Sequence, residues 1–137
     1  MFTAQVYKIQ IVCLSGIMEE TYTAQEVIRK WNQENAERMG KLLLPLAGDA
    51  TTCDADVVIG IVGNYIEKAE VIDESVKAGK KVLLFFSQYN DEKNTIPNEL
   101  QDVISLKNVV KTKCMCLDYN GNNDFKEILV NTIKGNC

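Results

Sequence analysis

The stretch DADVVIGIVG, residues 54–63, constrains the fold more than any other. Past its two aspartates it has no polar face, so a strand built from it must be covered on both sides, as a central strand of a parallel sheet between helices is. Related apolar runs occur at VYKIQIVCL, KLLLPL, KVLLFFSQ and KTKCMCLD, and longer amphipathic stretches separate most of them. That alternation is the pattern of an α/β fold.

The first amphipathic stretch reads as a helix from about Glu19 to Met39, with Ala24, Val27, Ile28 and Trp31 at i, i+3, i+4, i+7 spacing. Trp31 therefore belongs to the core. Glu19 and Glu20 stand in the first turn and Arg38 in the last, where their charges complement the helix dipole, and Gly40 is placed to cap the end. Pro45 confines KLLLPL to an edge or a strand end, because it has no amide to donate to a ladder. The segment EKAEVIDESVKAGK supplies a helix opening near Glu67, PNELQDVISL a short helix, and NNDFKEILVNTIK a closing helix with Phe125, Ile128, Leu129 and Ile133 on one face.

Right-handed crossovers then arrange five strands most simply in the order 2-1-3-4-5, a flavodoxin-like doubly wound parallel sheet forming a single domain over residues 1–137. In such a sheet ligands bind outside the carboxyl ends of the strands, where the order reverses between the first and third. Ser15, Gly16, Gly60, Gly63 and Asn64 line that expected crevice. One connection is short. The nine residues AGDATTCDA between the second and third strands span roughly 30 Å when extended, enough to cross the sheet but fewer than the dozen or so of a helical crossover. The flank beside them is expected to be thinly covered.

Composition excludes several functions. The net charge of −4 is the sum of charges of both signs spread along the chain, without the basic run that tracks a phosphate backbone or an anionic membrane. Neither nucleic acid nor membrane is an expected partner. The apolar runs stop far short of the roughly 20 residues that span a bilayer, and the N-terminus lacks a basic segment leading into an apolar one. A cytoplasmic protein is the expectation. There are five cysteines and no histidine. Cys114 and Cys116 sit two apart in KTKCMCLD and share a side if that stretch is a strand, but a zinc site takes about four ligands. Reduced, mostly buried thiols follow, with no metal and no cofactor implied.

The segments VCLSGIMEETYTAQEVIRKWNQENAERMGKLLLPL and DADVVIGIVGNYIEKAEVIDESVKAGKKVLLFFSQ together resemble the nucleoside 2-deoxyribosyltransferase-like and Toll/interleukin-1-receptor (TIR)-like superfamily. The similarity is closest to a bacterial branch in which a Ser-containing turn and a Glu pair open the first helix. There a Trp-Asn pair lies near the helix end, an LLP strand follows, and an acidic residue precedes DVVIGI. The resemblance covers roughly residues 8 to 88. It implies a pocket for a nucleoside or nucleotide and, in catalytic members, cleavage of an N-glycosidic bond by a Glu that acts on the sugar's anomeric carbon.

The chain departs from that pattern where the chemistry would be. Aligned on AGK at 78–80, the family's catalytic Glu falls on Val71, with Glu70 one residue early. Helical spacing puts Glu70, Asp73, Glu74 and Lys77 on one polar stripe and Ala69, Ile72 and Val76 on the buried one. Glu70 then reads as a solvated residue. The loop after the first strand also lacks the Gly-Asp that follows the Ser in relatives, and the Trp-Glu expected after LLPL is absent. Two readings follow. The preferred one is a nucleoside- or nucleotide-binding module for sensing or interaction, with Ser15, Gly16, Glu19, Gly63, Asn64 and Val71 at the ligand and a protein partner or second copy as its other contact. The alternative is an enzyme that cleaves or transfers the N-glycosidic bond of a nucleoside, deoxynucleotide or NAD-like molecule, with Glu70 or Glu67 as the working carboxylate. Glu19 and Glu20 serve as dipole complements in the first reading and are candidates for ribose hydroxyls in either.

All five cysteines should titrate as free thiols in the unfolded protein, and in the native protein Cys137 should react first and Cys13 last. An intramolecular disulfide, or stoichiometric zinc by elemental analysis, would contradict this.

Overall fold

The structure is a computed structural model that describes residues 4–13, 19–46, 55–63, 70–87 and 97–136. Its elements in chain order are β1 (Gln5–Cys13), α1 (Glu19–Met39), β2 (Lys41–Leu46), β3 (Val57–Val62), α2 (Glu70–Lys77), β4 (Lys81–Ser87), α3 (Pro97–Val110), β5 (Met115–Tyr119) and α4 (Gly121–Asn136). The strands form one all-parallel sheet in the order β2-β1-β3-β4-β5. This is the α/β, flavodoxin-like doubly wound arrangement expected from the apolar pattern.

Alternation along the strands divides the apolar residues between two cores. On one side Ile9, Ile11, Ile59, Ile61, Leu83, Phe85 and Tyr119 meet α1 through Ala24, Val27, Ile28 and Trp31, and α4 through Phe125, Leu129 and Ile133. Phe85 and Phe125 meet edge to face at 5.1 Å, a geometry that adds about 0.5–1.5 kcal/mol to simple burial. On the other side Val12, Val58, Val62, Val82, Leu84 and Phe86 meet Ile72 of α2 and Val110 of α3. The central strands β3 and β4 are thus sealed on both faces.

Helix ends follow their sequence signals. Gly40 takes φ 66°, the left-handed conformation that ends α1, and its amide donates to the Ala36 carbonyl at 2.9 Å. Gly79, at φ 75°, does the same for α2. The Trp31-Asn32 pair splits its work between two neighbours. Trp31 is buried in the first core, while Asn32 donates from Nδ2 to the Leu43 carbonyl at 2.7 Å and accepts from the Leu43 amide at 2.9 Å. Both polar backbone groups of Leu43, on the edge strand, are thereby satisfied, which discourages a foreign strand from pairing there.

The connection between β2 and β3, residues 47–54, lies outside the described residues, and the expectation of a thin flank falls there with it. On the face that α2 and α3 cover elsewhere, Val6 and Leu44 are 46% and 40% exposed. Between them and the second core lies Gln10, opposite Leu46 and Val58 and wholly buried, with neither amide atom hydrogen-bonded among the described residues. Asp56 accepts from the Lys8 amide at 2.8 Å and returns its own amide to the Lys8 carbonyl, fixing the start of β3 beside β1.

One boundary differs from the sequence reading. The fifth strand, expected from Lys111, begins at Met115, because the amides of Lys111 and Cys114 donate to Lys107 and Val110 and carry α3 through to a buried Val110. Cys114 therefore precedes the strand, although it and Cys116 still pack against the same core.

Two substitutions should move stability in opposite directions in urea denaturation. Asn32→Leu should cost about 1–3 kcal/mol by leaving the Leu43 groups unsatisfied, and Gln10→Leu should add about 1 kcal/mol by removing an unsatisfied buried amide. A stabilising Asn32→Leu or a destabilising Gln10→Leu would contradict these assignments.

Candidate functional site

The carboxyl ends of the strands are marked by Cys13 on β1, Ser87 on β4 and Tyr119 on β5, with Gly63 directly after β3. Gly63 is buried, and Glu19 is the exposed first residue of α1. Glu70 and Val71 open α2, but their side chains lie outside the described residues, as do Ser15, Gly16, Asn64 and Glu67 altogether. Gly60 does not line the mouth. It pairs with Val12 and Leu84 inside the sheet, two residues short of the strand end, and is buried there.

The described part of α2 has the phase that its sequence demands. Ile72 and Val76 turn to the second core, while Glu74 and Lys77 are exposed. Position 70 precedes those two by four and seven residues, the spacing of a single helix face. Ser75, which the apolar pattern left unassigned, is fully buried.

Sequence reasoning missed a polar cluster on the α1 and α4 side of the strand ends. Cys13, Ser87 and Tyr119 share strand parity with Ile11, Phe85 and Leu117 of the first core, so all three face that side. The N-terminal parts of α1 and α4 are joined by Thr23 Oγ1 donating to Asn122 Oδ1 at 2.8 Å. Tyr119 is 1% exposed, and its ring lies 5.1 Å from that of Phe125. Its hydroxyl is enclosed and, among the described residues, meets hydrogen-bond geometry with no partner. Burial pushes this phenol well above the ordinary tyrosine range, and the Glu20 carboxylate pushes it further. Ser87, its register partner on β4, partly offsets the shift without meeting hydrogen-bond geometry, and Cys13 adds to it. The phenol is therefore held as a neutral donor. No motif announces this cluster, since its members come from four separated segments; the available signal was a Tyr closing a strand, KCMCLDY, that otherwise reads as half-buried.

A groove of about 850 Å³ runs between α1 and α4, starting near Glu19, Thr23 and Asn122. Its walls carry both signs of charge, Glu26 and Glu34 with Lys30 and Lys126, so it selects neither anions nor cations. Burial raises the Cys114 and Cys116 thiols above the usual range. Among the described residues no three His, Cys, Asp or Glu side chains gather as a metal site, and no helix is long and apolar enough to cross a membrane.

No protein-family model matches the chain, and neither does any curated protein. Solved structures do. An AraC family transcriptional regulator from Pseudomonas putida superposes with a TM-score of 0.54 at 9% identity, over 94% of this chain and 91% of that one. Homoserine dehydrogenase from S. aureus superposes with a TM-score of 0.51 at 10% identity, over 87% of this chain. This chain spans only 33% of that dehydrogenase. At these identities the likeness is one of fold alone.

Tyr119 makes alkaline stability a test of the site. The unfolded chain ionises this phenol near pH 10, whereas the folded protein keeps its proton to higher pH. Above about pH 10 the folded state therefore binds more protons than the unfolded one, and stability falls as pH rises. Urea midpoints from pH 8 to 11 should decline above about pH 10 in wild-type protein and less steeply in Tyr119→Phe. Identical declines would contradict the buried, neutral phenol.

Proposed function

We propose that the protein is a nucleoside- or nucleotide-binding domain of the deoxyribosyltransferase-like and TIR-like type, a sensing or interaction module that holds its ligand without cleaving it. The observation that carries this reading is the reversal of strand order between β1 and β3, where parallel sheets of this kind form a crevice at their carboxyl ends. β3 reaches that point through Val62 and Gly63, and Gly63 has no side chain to hold a ligand off the backbone. Glu19 opens α1 at the same end of the sheet.

Absence of cleavage rests on the phase of α2. Work at an anomeric carbon needs a carboxylate aimed into a partly dry pocket, and the exposed Glu74 and Lys77 mark the face to which position 70 belongs by spacing. Position 71, where the resemblance puts the catalytic Glu, is an apolar Val.

Chemical-shift mapping with NAD, deoxynucleotides and cyclic nucleotides should perturb Cys13, Gly63 and the first turn of α1; shifts confined to the C-terminal half of α4 would contradict the site. Glu70→Gln should leave binding and any release of base or nicotinamide nearly unchanged, because an exposed charge contributes little. Val71→Glu should introduce slow hydrolysis, at some cost in stability. A clear wild-type rate that Glu70→Gln abolishes would make the protein an enzyme and overturn the proposal.

A further inference from the structure

The groove between α1 and α4 carries a charge pattern complementary to itself. On α1, Tyr22, Glu26, Lys30 and Glu34 follow one another at i, i+4 spacing and line one wall. On α4, Lys126, Val130 and Lys134 do the same along the other. Between the two stripes lie Val27, Trp31 and Ile133, all buried in the first core. An apolar floor inside a charged rim is the make-up of a protein interface.

The two walls are in register. Both helices return along a sheet whose strands are all parallel, so they run side by side in one direction, and the bond from Thr23 Oγ1 to Asn122 Oδ1 fixes their relative height. Counted from that contact, Glu26 stands nearly level with Lys126, Lys30 with Val130, and Glu34 with Lys134. Those charges are not spent within the chain. Among the described residues Glu26 pairs with Arg29 of its own helix, an exposed contact at 2.7 Å, while Lys30, Glu34, Lys126 and Lys134 make no ion pair. Tyr22 is 66% exposed beside them.

Symmetry decides how a second copy fits. With a two-fold axis parallel to the helices, α1 of each copy lies on α4 of the other at the same height. Glu26 then meets Lys126, Glu34 meets Lys134, and Lys30 meets the uncharged Val130. With the axis across the helices, α1 lies antiparallel on α1, so that Glu26 meets Glu34, Lys30 meets Lys30 and Lys126 meets Lys134. The first arrangement is complementary and the second sets every like charge against its own sign. Helices of 21 and 16 residues side by side offer a face of about 30 by 20 Å. That is the scale of the roughly 800 Å² each partner buries in a specific interface.

We propose that the protein forms a two-fold homodimer through this groove, with α1 of each copy seated on α4 of the other and Tyr22 packed against the start of that α4. The interface needs no ligand and is independent of nucleoside binding.

Sedimentation velocity at rising protein concentration, without nucleotide, tests this. Wild-type protein should pass from monomer to dimer, and added salt should weaken the dimer. Glu34→Lys alone and Lys134→Glu alone should each weaken it at least about tenfold, with the circular dichroism spectrum of wild type. Mixing the two single variants should restore the dimer, because each supplies the charge the other lacks. Wild-type protein that stays monomeric at every concentration would overturn the proposal and leave the groove to a different partner. A Glu34→Lys protein that dimerises more tightly, the mark of α1 against α1, would overturn it too, as would a mixture of single variants no more dimeric than either alone. None of these outcomes bears on the strand-end crevice, which the chemical-shift mapping tests separately.

Discussion

Everything in this fold follows from two strands that must be covered on both faces. β3 and β4 carry buried Val, Ile, Leu and Phe on alternate sides, so helices have to lie on each side of the sheet. α1 and α4 cover one face and α2 and α3 the other, and the order 2-1-3-4-5 is the simplest right-handed route that places them so. On the face covered by α2 and α3, near β2, Val6 and Leu44 are exposed, and Gln10 is buried with its amide unsatisfied among the described residues. The two hydrogen bonds from Asn32 hold β2 in place from the opposite face.

Much of this was legible in the residue pattern, for reasons that differ between elements. The strands could be read because burial on both faces leaves an unbroken apolar run, and α1 because Ala24, Val27, Ile28 and Trp31 repeat at helical spacing before a capping Gly40. The start of β5 could not, since KTKC has strand-like composition yet its amides are taken by α3. Periodicity reports which face a residue is on and nothing about where a chain stops using its own carbonyls. Gly60 was misplaced for a related reason: glycine suggests a turn, but here it lets the middle of β3 pack between β1 and β4.

The candidate site was legible only as a location. Strand order alone picks out the end of the sheet and the pair of strands between which a ligand fits. The side chains that give that place its character, Tyr119, Ser87, Cys13 and Glu20, are brought together by the fold from positions more than a hundred residues apart at the extreme, a juxtaposition no local pattern encodes. Burial holds the Tyr119 phenol neutral, and the Glu20 carboxylate adds to that shift. Position 71, where the resemblance would put a catalytic Glu, is a Val, which is why binding rather than cleavage is the function proposed.

The central claim is that the reversal between β1 and β3 is the ligand site, and a crystal structure of the protein soaked with a nucleoside tests it most directly. The account predicts ligand density against Cys13, Gly63 and the first turn of α1. Density in the groove between α1 and α4, with the strand ends bare, would contradict it.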